Sequence, residues 1–340
     1  MNKEKVSLVT TVLNDYEGCI SFLSQIEHQT YTPDELIIVD GGSRDGTWEL
    51  LSNYQPRKSY QLKVFQEVGC NVARGRNIAI AQSSGRIIVS TDVGCSWENQ
   101  WLEDLVQPLL QDPELEAVMG SWNVLEEDCK TRWSRVDFSY QRGLVFIATP
   151  QSDASSRSIA YRKQLWTRIG GYPEDLTLAG DDMVFSILLH RSTTKIAASA
   201  LPLCHWKRPQ TLKSLIKEAR RNFRGAGEAG IWLDYGLLVG LRLVVEIFLL
   251  LGSFSFSFFF QLYFLSFLCF VSLIFCIFSR IIKLSRSVQE QWISNRLRGI
   301  IDLIIFEYLI KIWSLIGFWE GYFHGQKNCS NCRLSLAIEH

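Results

Sequence analysis

Short apolar runs alternate with amphipathic stretches along the first two thirds of the chain. Val6 to Leu13 reads as a strand and Cys19 to Gln29 as a helix. Leu36 to Asp40 is a strand, Trp48 to Tyr54 a helix and Leu62 to Gln66 a short strand. Val72 to Gln82 is a helix, Ile87 to Thr91 a strand, Trp101 to Leu110 a helix and Glu116 to Trp122 a further strand. The strands are apolar at successive positions, as expected where both faces of a sheet are covered. Alternation of this kind predicts an α/β fold: a mostly parallel, doubly wound sheet flanked by helices.

Near Asp234 the pattern changes. Ile247 to Phe278 carries no charged residue, and roughly 20 apolar residues suffice for a helix to cross a bilayer. The expectation is a transmembrane hairpin, Tyr235 to Phe254 and then Phe258 to Phe278, with Arg242 and Glu246 one helical turn apart in the first span. Basic residues flank it: Lys207, Arg208, Lys213, Lys217, Arg220, Arg221 and Arg224 before, and Arg280, Lys283 and Arg286 after. Positive charge on both flanks places both on the cytosolic side. The next apolar stretch, Ile300 to Phe318, contains Asp302, Glu307 and Lys311. It reads as an amphipathic interfacial helix or a third membrane helix, the former favoured because charge within hydrocarbon is costly. The domain expectation is residues 1–230 as a catalytic domain, 235–278 as the hairpin, and 279–340 as a basic loop, third helix and tail. An integral protein of a bacterial plasma membrane, with its first domain in the cytosol, follows from that reading.

Formal net charge is zero over 340 residues, with 47% hydrophobic content, which argues against a nucleic-acid partner. Nine cysteines are scattered, and Cys329 and Cys332 are the only close pair, with no further zinc ligands nearby. The first apolar run breaks at Asn14 and Asp15 and is not a signal peptide. Asn328-Cys329-Ser330 fits a glycosylation acceptor only if the tail leaves the cytosol.

The candidate chemistry begins at IIVDGGSRDGT, residues 37–47. Asp40 ends a strand, where ligands of open α/β sheets sit. The other reading is a polar turn in which Ser43 or Asp45 caps the next helix. Further on come ARGRNIAIAQSSG (Ala73 to Gly85), IIVSTDVGC (Ile87 to Cys95) and GGYPEDLTLAGDDMVF (Gly170 to Phe185). Taken in order from VSLVTTVLND at the N-terminus, these motifs resemble family-2 glycosyltransferases of GT-A fold, over about Val6 to Gly230. The resemblance implies a Rossmann-like mixed sheet and sugar transfer from a nucleotide-sugar donor.

It also implies roles. Asp40, Thr11 and Asn14 would line the nucleotide edge, with Arg76, or Arg74, reaching base or phosphate oxygens. Asp92 falls where the family has its Asp-x-Asp motif, which binds ribose and a Mg2+ or Mn2+ ion, but Gly94 takes the second position. A metal would then rely on Asp92, the diphosphate, waters and a further ligand such as His205. Asp182 matches the catalytic base and Asp181 its acidic neighbour; both also open a helix whose dipole they favour. With one base and no enzymic nucleophile, the displacement inverts the anomeric carbon. The basic helix Thr211 to Gly227 lacks the Gln-x-x-Arg-Trp pattern of processive members, so the expected enzyme is non-processive. Its expected acceptor is a lipid-linked or cell-envelope glycan, with membrane lipids as partners. The alternative is a non-catalytic, donor-binding relative that scaffolds a membrane glycan-assembly complex. A nucleotidyltransferase is disfavoured by the lack of a Gly-rich, lysine-containing phosphate loop.

Overall fold

The computed structural model describes residues 4–177, 179–258, 263–285 and 296–328. Its strands are β1 (Val6–Val12), β2 (Glu35–Asp40), β3 (Gln61–Gln66), β4 (Ile87–Ser90), β5 (Cys95–Trp97), β6 (Ala117–Met119), β7 (Trp122–Asn123), β8 (Val145–Phe146), β9 (Ile159–Arg162), β10 (Ile196–Ala198) and β11 (Cys204–Trp206). Its helices are α1 (Tyr16–His28), α2 (Thr47–Asn53), α3 (Val72–Ala81), α4 (Trp101–Gln111), α5 (Arg132–Tyr140), α6 (Lys163–Ile169), α7 (Asp181–Ser192), α8 (Leu212–Ala229), α9 (Leu233–Phe258), α10 (Tyr263–Ser285) and α11 (Arg296–Asn328). The chain divides into two compact units. One holds the residues up to Asp128 and Leu144–Arg208; the other holds Cys129–Gly143 and Pro209–Lys327.

The first unit is built on a sheet ordered β10-β6-β9-β4-β1-β2-β3. β1, β2, β3 and β4 pair in parallel, and so do β6 and β10, whereas β9 runs antiparallel to both β4 and β6. The expected mixed α/β sheet is present. Side chains of one strand alternate between its two faces. In β2, Leu36 and Ile38 join Val6, Phe22 and Trp101 in one core. Ile37 and Val39 join Ala73, Ile80 and Tyr161 in the other. Helix α1 starts a turn earlier than the apolar pattern suggests, because Asp15 caps it by accepting from Gly18 N at 3.1 Å. A second sheet, β5-β11-β7-β8, consists of strands of two or three residues.

The N-terminal edge of the large sheet is locked by one buried carboxylate. Glu35 accepts from Ser7 Oγ at 2.6 Å, Lys63 Nζ at 2.6 Å, Ser84 N at 2.5 Å and Gly85 N at 3.2 Å. Any side chain at Gly85 would put its Cβ 2.3 Å from Ser7 Oγ. Burial alone would raise the Glu35 carboxyl, but these bonds outweigh it and hold it down at about 2.

The second unit is helical, and it corrects the expected membrane anchor. Among the described residues no helix is long and apolar enough to cross a membrane. The transmembrane hairpin, and with it an integral membrane location, is therefore overturned. The physical reason is visible in α9. Arg242 pairs with Glu246 at 3.2 Å, and Tyr308 of α11 donates to the same carboxylate at 2.9 Å, so charge is fixed by protein partners inside the expected first span. Residues 259–262, within the expected second span, and 286–295, in the basic loop, lie outside the described residues, as do Cys329, Ser330 and Cys332. The third stretch is likewise not long and apolar enough to cross a membrane. Leu303 and Phe306 of α11 pack with Val136 of α5 and Leu215 of α8 in a protein core, and Arg132 grips Asp302 with two N–H donors. Gly317 and Gly321 let the backbone of α11 meet that of α8, since a Cβ at either would lie 2.2 or 2.0 Å from the carbonyl oxygen of Arg220 or Arg224. The basic face of α8 is partly neutralised there: Arg220 binds Glu320 at 2.6 Å and Arg224 binds Glu228 at 3.1 Å.

The Glu35 knot sets a pH-dependent stability. Its folded carboxyl lies below the ordinary value of 4.5, so its contribution is present above that value and is lost as pH falls towards 2. Glu35→Gln should cost about 3 kcal/mol at pH 7. The deficit should shrink by pH 3, as read by urea unfolding at both pH values.

Candidate active site

The C-terminal ends of β1, β2 and β4 carry Thr11, Asn14, Asp40 and Asp92 of the expected site residues. Asp40 is not aimed outward as expected: it is fully buried, and its carboxylate is the post around which the following turn wraps. It accepts from Ser43 N at 3.0 Å, Gly42 N at 3.2 Å and Gln66 Nε2 at 2.9 Å, and from the Ser43 hydroxyl. Asn14, held at a φ of +52°, ties β1's exit to this turn. Its N–H donates to Ser43 Oγ at 2.7 Å, and its Oδ1 accepts from Arg44 N at 2.8 Å. Thr11 abuts α3, where a Cβ on Gly75 would lie 2.7 Å from its Cγ2.

Arg76 reaches from α3 to the centre of the site and is 4% exposed. Nη2 donates to Asp92 Oδ1 at 2.6 Å, and Nη1 donates to Asp181. The ring of Tyr172 lies 5.5 Å from its guanidinium carbon. Burial opposes the cation, but Asp92 and Asp181 outweigh burial and keep it protonated. Gly180, at a φ of +96°, delivers Asp181 and Asp182 as the first residues of α7. Asp182 Oδ1 accepts from Met183 N at 3.0 Å. Burial, and then the charge of Asp181, push the Asp182 carboxyl up to about 6, against the pull of Arg157 and Arg76. Two adjacent carboxylates thus sit in unlike states: one bound by a guanidinium, the other raised into the range of a base.

Other candidates lie apart from this cluster. Arg74 is on the surface, paired with Glu67 at 2.7 Å and Glu174 at 3.3 Å. His205 has both ring nitrogens engaged, Nδ1 by Asn123 at 2.6 Å and Nε2 by Glu98 at 3.1 Å. Among the described residues no three His, Cys, Asp or Glu side chains are grouped to hold a metal ion. Asp92 is held by Arg76, and His205 by Asn123 and Glu98. A Cβ on Gly94 would meet nothing within 4 Å, so no neighbouring side chain fills the place of the missing carboxylate.

The sequence reading missed Arg157. It precedes β9, and its guanidinium carbon lies 4.9 Å from the Trp122 ring centre and 4.1 Å from that of Trp206. A polar Ser-Ser-Arg-Ser stretch before an apolar strand was the only available signal. Knowing that β9 runs antiparallel is what places it at this edge.

Residues 7–169 match the family described as Glycosyl transferase family 2. The chain is a glycosyltransferase, and the matched stretch is just under half of its 340 residues. Glycosyltransferase AglE from Haloferax volcanii is 25% identical over 231 residues, which is 67% of this chain and 74% of that protein. O-antigen chain rhamnosyltransferase RfbN from Salmonella typhimurium is 24% identical over 206 residues, 58% of this chain and 64% of that protein. The solved mannosyltransferase PcManGT from Pyrobaculum calidifontis, in complex with GDP-Man and Mn2+, superposes with a TM-score of 0.50 at 21% identity. That match covers 65% of this chain and 62% of that one; the likeness is one of fold, a GT-A-like mixed α/β domain. The chain spans less than two thirds of the length of the rhamnosyltransferase and of the mannosyltransferase.

Removing the Arg76 cation leaves three carboxylates close together. Arg76→Met should destabilise this glycosyltransferase by about 3–5 kcal/mol at pH 7.5, the range for breaking a buried pair. The carboxyls it releases take up protons more readily when folded than when unfolded. The deficit should therefore shrink at pH 5, as measured by chemical unfolding at the two pH values.

Proposed function

We propose that this glycosyltransferase moves a sugar from a nucleoside-diphosphate donor to a hydroxyl of a cell-envelope glycan, with inversion at the anomeric carbon. The observation that carries the reading is Asp182, held at about 6 beside the Arg76-bound pair Asp92 and Asp181. A hydroxyl is a weak nucleophile, and a carboxylate tuned near the working pH takes its proton most effectively in the transition state. Asp181 is committed to Arg76, which leaves Asp182 as the base. The Oγ or carboxylate of a second, enzymic nucleophile has no part in this scheme, so the acceptor oxygen attacks the anomeric carbon directly while the bond to the diphosphate breaks. The acceptor proton goes to Asp182, and the nucleoside diphosphate leaves.

Asp92, fixed by Arg76 at the end of β4, faces the ribose and diphosphate. Asn14, Asp40 and Thr11 act through the shape of the turns after β1 and β2, forming the cradle for the nucleotide. The glycan acceptor draws support from the relative that acts on an O-antigen chain.

Asp182→Asn should lower kcat by about 10²–10⁴-fold, the usual contribution of a general base, with the melting temperature preserved. Because the base must be deprotonated, wild-type kcat/KM should fall about tenfold per pH unit below about 6 and level off above it. Product analysis by NMR should show the opposite anomer to that of the donor. Full activity in the Asn variant, or a retained anomer, would sink the reading. A donor-binding protein without transfer would bind nucleotide-sugars yet yield no product in the same assay.

A further inference from the structure

We propose that Arg157, clamped between Trp122 and Trp206, binds the diphosphate of the donor and of the departing nucleotide; this rests on the donor reading above. The place comes first. β9 is antiparallel to β4, and its first residue, Ile159, pairs with Ser90 at the end of β4. The segment entering β9 thus lies at the edge where the parallel strands end. There the Thr91 hydroxyl donates to the Arg157 carbonyl at 2.8 Å, and Thr91 directly precedes Asp92. Cys204 of β11 reaches the same carbonyl at 3.5 Å. The backbone of Arg157 is therefore fastened beside the carboxylate that faces the phosphates.

The side chain is held equally firmly. The indoles of Trp122 and Trp206 each lie within cation–π range of the guanidinium, and Trp122 is in turn stacked on Phe146 at 5.4 Å. Nη1 donates to Ser155 Oγ at 3.0 Å. Nε is sealed from solvent without a hydrogen-bond acceptor. Among the described residues Arg157 pairs with no carboxylate. Arg76, by contrast, has two. Charges taken out of water are ordinarily paired, so a rigid, half-buried guanidinium without a counter-ion is a receptor for an anion the protein itself does not supply. The remaining donor, Nη2, is not sealed and is the atom left for that anion. Its field already reaches the site, since Arg157 is the foremost of the charges pulling the Asp182 carboxyl down.

The anion of this reaction is the diphosphate, whose charge grows as the glycosidic bond breaks. A planar guanidinium fork matches phosphate oxygens, and preorganised donors aimed at developing charge stabilise a transition state strongly. Where Gly94 leaves the site one carboxylate short for a cation, Arg157 supplies positive charge directly. The two indoles, set edge-on to each other at 85°, restrict the movement of the fork, so little reorganisation accompanies binding.

Calorimetric titration tests this with UDP, GDP, dTDP, CDP and ADP, followed by the parent nucleoside of whichever binds, observed by saturation-transfer NMR. Arg157→Gln should weaken the diphosphate at least tenfold and leave the nucleoside unchanged, while Arg157→Lys restores part of the loss. Arg157→Met, which keeps an apolar stem between the two rings, replaces the Gln variant if the latter does not fold. Equal diphosphate affinity in wild type and variant overturns the proposal. So does a parallel loss of nucleoside and diphosphate, which marks a merely structural arginine. If wild type binds none of the five diphosphates, the donor reading itself fails and this inference falls with it; if wild type binds one and the variant binds it as well, only Arg157 is acquitted.

Discussion

The site depends on one buried cation. Arg76 leaves the middle of a helix, passes beneath the ends of the parallel strands and holds Asp92 and Asp181, which lie far apart in sequence. Without it, three carboxylates would crowd a poorly hydrated space, and each would be driven towards its neutral form. With it, two are bound by a guanidinium and the third, Asp182, is only partly relieved. The same guanidinium therefore fixes the position of two acids and, after Arg157, helps draw down the proton affinity that burial and Asp181 give their neighbour Asp182. Gly180 serves the arrangement by turning the chain so that both aspartates open α7.

Much of this was legible in the sequence, for identifiable reasons. β1, β2 and β4 are covered on both faces and so read as unbroken apolar runs. The helices between them keep a helical period, and Asp92, Asp181, Asp182 and Arg76 stand in motifs that follow one another in order. The second sheet was not legible, because strands of two or three residues rich in tryptophan leave no periodic trace. Asp40 shows a subtler failure. A carboxylate at a strand end is correctly read as belonging to a turn of special shape, but sequence does not say whether it binds a ligand or its own backbone, and here Gly42 N, Ser43 N and Gln66 Nε2 share one of its oxygens while the Ser43 hydroxyl takes the other.

The C-terminal helices teach a similar lesson. Their apolar content was read correctly as helix and wrongly as membrane span. What decided between the two was the fate of the few charges. Arg242, Glu246, Asp302 and Glu307 each find a protein partner, and Leu303 and Phe306 find a protein core. Hydropathy counts such charges; only their partners reveal what surrounds them.

Glu35 lies at the opposite end of the strands from all of this chemistry. It cross-links β1, β2, β3 and the entry to β4. The fold is thus fastened at one rim and open at the other. Substitutions at the open rim leave the Glu35 cross-links untouched, so the two ends of the same strands can vary independently.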